Sequence, residues 1–381
     1  MNETIANIQA YLKELQSTTE KYTAEAPALV SRLYAAANTT GGKRRPEKVN
    51  DSSFLYIRSY SNDIGIRPFS NITFWNSPDI TITPVANPGA PTTQLQAGQQ
   101  YNIQCTVNNR GDIIVPAAKV EFFLCTPSLG FDTRYAENIA LTQLNTMLLP
   151  LGSGSVNVPF DVQNHQAGHR CLFARTYSFS PLDKPLSLYG LDPTLDRHIG
   201  QKNLNITGQA QNYNFQLIHA ANALENIKFV ALTKDEILAL QHPALANFRF
   251  RENTADLVSK LVPVLDSKGA ENVTVKAGRT GFDVTSQSKE GMSVDRQQAI
   301  QRQVDAAIRQ IASGAAPATS FKALFKEFNS IFDSNKCSKF SLKIPDFGLV
   351  PGEAIAVNIV NTNVGTGKVK GGITLIITGN K

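Results

Sequence analysis

Five histidines, four cysteines and a few grouped aspartates are the residues of this chain whose chemistry can go beyond packing. His165, His169 and Cys171 stand close together, and Asp196 and His198 follow on a later strand. Imidazole nitrogens, a thiolate and a carboxylate are ligands that zinc accepts, so four such groups could hold that metal. However, His165 and His169 span Gln166-Ala167-Gly168, a turn, so they do not share a helix face. His198 sits where a strand begins, a place where a polar residue commonly closes a turn. The reading assigns no metal and no cofactor. It keeps His165, His169 and His198 as the candidates for a metal-dependent hydrolase, behind the other readings. Asp192 and Asp196 could offer oxygens to calcium, but without the dense ligand spacing of an EF-hand loop. A nucleophilic cysteine needs a nearby base and a depressed pKa, and the sequence shows neither. No GxSxG elbow, HExxH helix, GxxxxGK[ST] loop or GxGxxG fingerprint occurs. With no catalytic residue assigned, the chain is expected not to be an enzyme.

The elements that position these residues follow from length and pattern. A chain of 381 residues has room for two domains and an appendage. Charged residues make up 18%, below the usual level of about a quarter. Asn, Gln, Ser and Thr fill the gap, which favours sheets with polar outer faces. The net charge of +6 is scattered, apart from Lys43, Arg44, Arg45 and Lys48. That cluster has no aromatic interleaving and reads as a solvated linker, so no nucleic acid is expected. No run of apolar residues is long enough for a transmembrane helix. Met1–Ala10 is polar, so no secretory signal peptide is expected. Location is therefore left unknown, as cytoplasmic or exported by a leaderless route.

Residues 1–37 read as an N-terminal heptad helix or helical hairpin. Ile5, Ile8, Leu12, Leu15, Tyr22, Leu29 and Leu33 fall on a narrow apolar stripe, which suits oligomerisation or docking better than a broad globular face. Residues 38–53 form a basic linker. Residues 54–207 read as a β-sandwich with a lead-in strand, and Asn108–Gly111 as a turn with Gly111 at positive φ. Ser180–Asp196 is a long excursion with three prolines, read as packed rather than loose. Residues 208–381 read as a second β-sandwich with a mainly helical insertion at about 233–335. Within it, Thr233 and Glu236 form a capping box. Ile300, Val304 and Ile308 share a helix face, as do Phe321, Leu324, Phe325 and Phe328.

The opening SPDITITP at 77–84, the NNRG turn, the strand after His169 and the closing DRHIGQKNLNI resemble the CARDB-type domain. This is a bacterial cell-adhesion-related immunoglobulin-like module, and the resemblance covers about residues 77–207. It implies an immunoglobulin-like sandwich over those residues, of a kind that binds or spaces and rarely catalyses; with the second sandwich read at 208–381, the chain is expected to be mainly β with two immunoglobulin-like domains. Cys105 and Cys171 would then lie on the strands that an antibody domain bridges with a disulfide. Without a leader, buried free thiols are the expectation.

Function follows as an expectation of class. The leading reading is a non-catalytic structural or protein-interaction component of a larger bacterial assembly: a particle, a phage-tail-like element or a specialised secretion system. A protein partner or self-association is expected. The alternative is an adhesive or carbohydrate-binding module that uses loop aromatics at Phe131, Tyr135, Phe179 and Tyr189. A membrane-active toxin stands with the hydrolase behind both.

Overall fold

The computed structural model describes residues 53–69, 73–178, 180, 183–187, 189–240, 242–251, 255–266, 273–286, 292–312, 315–316, 318–333 and 335–379. The heptad positions Ile5, Ile8, Leu12, Leu15, Tyr22, Leu29 and Leu33, the linker at 38–52 and Phe179 lie outside the described residues.

The fold is mainly β and of the sandwich class. Alternation makes the strands: in β4 (Gln100–Asn109), Tyr101, Ile103, Cys105 and Val107 are buried and the residues between them are not. On one edge β4 takes β1 (Leu55–Tyr56) and β2 (Ile80–Pro84) in succession, and on the other β7 (Ser153–Asp161). The facing sheet runs β10 (Ile199–Lys202), β9 (Cys171–Tyr177), β5 (Lys119–Cys125) and β6 (Glu137–Gln143), all antiparallel. Ile80, Ile82, Tyr101 and Ile103 from the first sheet meet Val120, Phe122, Leu172 and Ala174 from the second in one core. A separate ribbon pairs β3 (Gln94–Leu95) with β8 (Gly168–His169).

The turn after β4 is built differently from expectation. Gly111 is not among the positive-φ glycines. Instead the Asn109 side chain organises the corner. Its Oδ1 accepts from the backbone N–H of Phe54 (3.1 Å) and Gly111 (2.9 Å), and its Nδ2 donates to the Ile113 carbonyl (2.9 Å). A side-chain amide that satisfies the loop backbone removes the need for a left-handed residue.

A second pair of sheets follows at once. The larger runs β11 (Leu204–Gly208), β20 (Lys368–Thr378), β19 (Glu353–Asn363), β13 (Leu224–Ala231), β17 (Gly281–Ser286) and β16 (Val273–Gly278), and β14 (Arg249–Phe250) also pairs with β19. The smaller runs β12 (Gln211–His219), β18 (Lys336–Ile344) and β15 (Val262–Leu265). Phe215, Leu217, Phe340 and Leu342 face Phe229, Phe282, Val357, Ile359 and Leu375 across the core between them. The Leu204–Gly208 stretch, expected to finish the first sandwich, pairs instead with β20 in parallel. The passage between the two sheet pairs is therefore a single residue, Asn203.

The stretch at 233–335 holds more helix than strand and contributes both. It contains α1 (Lys234–Ala239), α2 (Ala255–Val258), α3 (Val294–Ala312) and α4 (Lys322–Asp333), but also β14 to β17. The β16–β17 hairpin extends the large sheet because Val273, Val275, Phe282 and Val284 alternate on either side of Gly278–Gly281. The capping box at α1 forms as its sequence implies, with the Thr233 backbone N–H donating to Glu236 Oε2 at 2.7 Å. Ile300, Val304 and Ile308 of α3 and Phe328 and Ile331 of α4 pack with Leu195, Ala220 and Ala223. The apolar faces of these two helices are thus a core, as amphipathic spacing predicts.

Candidate functional site

The two sheet pairs meet along a seam that begins in the lead-in segment. Residues 75–77 run beside 201–203: Asn203 N–H donates to the Trp75 carbonyl (2.8 Å) and Ser77 N–H to the Gln201 carbonyl (2.8 Å). Trp75 lies against Gly372 of β20, where any Cβ would collide with the indole ring. Its Nε1 donates to Thr374 Oγ1 at 2.9 Å. Asn203 Nδ2 donates to the carbonyls of Ser128 (3.0 Å) and Gly372 (2.8 Å). The loop after β5 joins the other body directly, with Leu129 N–H donating to the Gln216 carbonyl and Gln216 N–H to the Pro127 carbonyl, both at 2.8 Å. Phe74, Trp75, Phe123, Phe131, Phe173 and Leu191 form the apolar filling, against which Val360 and Val369 pack.

Beside this seam the same two bodies leave a cleft of about 660 Å³. One wall is Ser59, Tyr60, Asn62, Asn76 and Thr81 of the first sheet pair; the other is Leu232, Glu236, Leu240, His242 and Asn358 of the second. That size lies within the range of ordinary small-molecule sites. Lys202, the last residue of β10, is 8% exposed on the cleft floor. Its Nζ donates to the Ser77 carbonyl at 3.2 Å, the one hydrogen bond it makes among the described residues. Burial pulls its ammonium down to about 8. Burial, with Lys202 adding to it, lowers the nearby His242 to about 4, so that ring is neutral near pH 7. Glu236 on the same wall makes no ion pair with Lys202 among the described residues; its Oε2 accepts from the Thr233 backbone N–H and hydroxyl.

Asn76 pairs with Lys202 in an isolated antiparallel bridge, which sets their side chains next to each other. Asn76 Nδ2 donates to Thr374 Oγ1 (2.7 Å), which in turn donates to Asn358 Oδ1 (2.8 Å). That leaves Asn76 Oδ1 buried with no partner among the described residues.

The structure distributes the residues expected from sequence. His165 is exposed and contacts Glu137 at 3.3 Å. His169 lies against Tyr213, with ring centroids 5.4 Å apart, and burial lowers its pKa. His198 is buried, with Nδ1 2.7 Å from Asp196 and Nε2 3.6 Å from Asp183. Each of the three belongs to a separate local arrangement. No group of three His, Cys, Asp or Glu that could hold a metal occurs among the described residues. The His198 cluster holds the excursion down. Asp183 also accepts from Leu55 N–H (2.9 Å) and Arg197 (3.3 Å). Burial works to raise the Asp183 pKa, but His198 and Arg197 bring it to about 2.

The loop aromatics fare differently. Phe131 is buried at 6% exposure in the seam. Tyr135 is half-buried and its hydroxyl donates to the Asn335 carbonyl (2.9 Å). Tyr189 stays 39% exposed with Arg134 stacked 5.0 Å from its centroid. The antibody-type bridge does not form: Cys105 lies in the core between the sheets, Cys171 in the cluster outside them, and all four thiols are free. Cys171 is directly opposite Cys125 across β5 and β9. Sequence reasoning missed Tyr60, Asn76 and Lys202. The lysine at the end of Ile-Gly-Gln-Lys is a weak signal, since a strand lysine is ordinarily a solvated one.

No family model matches the chain, and no curated protein matches it. Among solved structures it is similar to the CARDB domain of a Pyrococcus furiosus protein in complex with di-metal ions. That match has 10% identity and a TM-score of 0.24, over 43% of this chain and 96% of the other. The C-terminal domain of the Streptococcus pyogenes antigen I/II-family protein AspA matches at 6% identity and a TM-score of 0.18, over 78% of this chain and 98% of the other. The CupB6 tip adhesin from Pseudomonas aeruginosa matches at 8% identity and a TM-score of 0.18, over 79% and 98%. At scores this low the likeness carries no argument. No helix among the described residues is long and apolar enough to cross a membrane.

Proposed function

We propose that the chain is a non-catalytic structural or protein-interaction component of a larger bacterial assembly, such as a particle, a phage-tail-like element or a specialised secretion system. Two immunoglobulin-like sandwiches form a rigid presenting body, and the heptads of residues 1–37 oligomerise or dock it. The observation that supports this best is the one-residue passage at Asn203, with the seam built around it. Sandwiches joined by a flexible linker move independently; these two share hydrogen bonds and an apolar filling, so a load or a docking geometry passes from one to the other. Mass by light scattering tests the reading, with the full chain and with residues 1–37 removed. A defined oligomer that dissociates on truncation supports it. A monomer in both forms that retains no protein from its own cells overturns it.

A second reading is favoured by the cleft. Hydroxyl and amide side chains around an aromatic residue and apolar patches suit a carbohydrate, which makes the protein an adhesive or carbohydrate-binding module. A soluble-sugar screen monitored by amide chemical shifts tests it, and absence of any shift at the cleft removes it.

A further inference from the structure

We propose that the cleft between the two sheet pairs binds an acidic sugar, with Lys202 receiving the carboxylate and the polar lining the ring hydroxyls. This rests on the carbohydrate-binding reading and adds the chemical class of ligand to it. Three observations lead there.

The first is a cation with no ion-pair partner among the described residues. Lys202 is buried, has three ammonium protons, and uses one on the Ser77 carbonyl. An ammonium taken out of water is costly unless a carboxylate or further acceptors replace the lost hydration. Glu236 on the adjoining wall forms no ion pair with Lys202 among the described residues and caps Thr233 through Oε2, and His242 on the same wall is neutral near pH 7. Two of the ammonium's donors have no acceptor among the described residues, and Lys202 lines a cleft that is open to a ligand. A carboxylate fills that position with a charge-assisted hydrogen bond, stronger than its neutral counterpart.

The second is position. Asn76 and Asn358 line the cleft together with Lys202, and their bridge sets Asn76 next to Lys202. A ligand whose anion reaches Lys202 therefore lies beside amide side chains, which hydrogen-bond hydroxyl groups. A uronic acid carries an anion and hydroxyls on one ring, and a bare inorganic anion or a fatty acid lacks the hydroxyls.

The third is the lining. Tyr60 offers a ring and Ser59, Asn62 and Thr81 add hydroxyl and amide groups, so the rest of the cleft suits a polyhydroxylated ring. The volume of about 660 Å³ accommodates one or two sugar units.

The experiment is titration of the full chain with glucuronate, galacturonate, glucose and inorganic phosphate, followed by amide chemical shifts and calorimetry. Glucuronate or galacturonate should bind at least about tenfold more tightly than glucose. The shifts should centre on Asn76, Lys202 and Asn358. Lys202→Met should bring the acidic sugar down to the affinity of glucose while leaving the fold intact, and Lys202→Gln serves as a second check should the first variant fold poorly. Equal affinity for glucose and glucuronate, unaffected by either substitution, would leave a carbohydrate site but overturn the acidic ligand. Phosphate binding as tightly as the uronates overturns the sugar requirement. No response to any sugar overturns both this proposal and the carbohydrate reading. A free acidic monosaccharide and the end of an acidic glycan share this chemistry. An oligouronide binding more tightly than its monomer identifies the glycan as the source.

Discussion

The seam and the cleft are made by the same two bodies, yet they differ in how polar groups are settled. In the seam, Trp75 Nε1 and Asn203 Nδ2 are paired, and aromatic rings exclude water from around them. In the cleft, Lys202 and Asn76 sit only a short distance away with an ammonium and an amide oxygen still unsatisfied. Buried polar groups are normally paired, so an exception marks either a cost to folding or a place for something else. The seam is not free of exceptions, since Gln201 Oε1 and Gln216 Nε2 also have no partner among the described residues; the difference is that Lys202 lines an open cleft.

Four changes break or sharpen that contrast. The largest effect is expected from Gly372→Val, which drives a side chain into the Trp75 ring. Loss of about 3 kcal/mol or more, or outright unfolding, should appear in urea denaturation followed by the single tryptophan. A mild effect would mean that the seam yields easily. Asn203→Ala removes both amide donors from the Ser128 and Gly372 carbonyls. It should cost about 2 kcal/mol in the same assay, since buried carbonyls are left unpaired.

The third change has the opposite sign. Lys202→Met should raise stability by about 1–3 kcal/mol near neutral pH, because it removes a buried ammonium with no counter-charge. The advantage should depend on pH. The folded chain releases the Lys202 proton at about 8 and the unfolded chain near the ordinary 10.5. Between these values the unfolded state holds more protons, so wild-type stability from this group rises with pH and the gain of Lys202→Met shrinks. Thermal melts of both proteins from neutral to mildly alkaline pH read this directly; a gap that stays constant would mean that Lys202 is already neutral or is solvated. Tyr56, pushed up to about 12 by burial, works in the other direction above pH 10, so the comparison belongs below that. The smallest effect belongs to His165→Ala. Its contact with Glu137 is on the surface, so stability should change by less than about 0.5 kcal/mol. A larger loss would show that this histidine is more than an exposed side chain.

Much of the fold was legible because strand and helix periods are local. Alternation in Gln100–Asn109, the capping box at Thr233 and Glu236, and the face of Ile300, Val304 and Ile308 all read directly from spacing. The β16–β17 hairpin carried the same kind of signal and was overshadowed by the helices around it. The candidate site was not legible. Phe131 looks like a loop aromatic in sequence and is seam filling in the structure, because its loop lies along β12 of the other body.

Sequence alone determined the alternation of Gln100–Asn109, the capping box at Thr233 and the amphipathic helix faces, since each depends on residues near one another along the chain. Only the tertiary structure decided where the second body begins, because Leu204–Gly208 finds its partner in β20 far along the chain. Only it decided that His165, His169 and His198 stay apart and that Asn76, Lys202 and Asn358 come together. Burial and orphaned hydrogen-bonding groups belong to the packing of distant segments, and no local pattern encodes them.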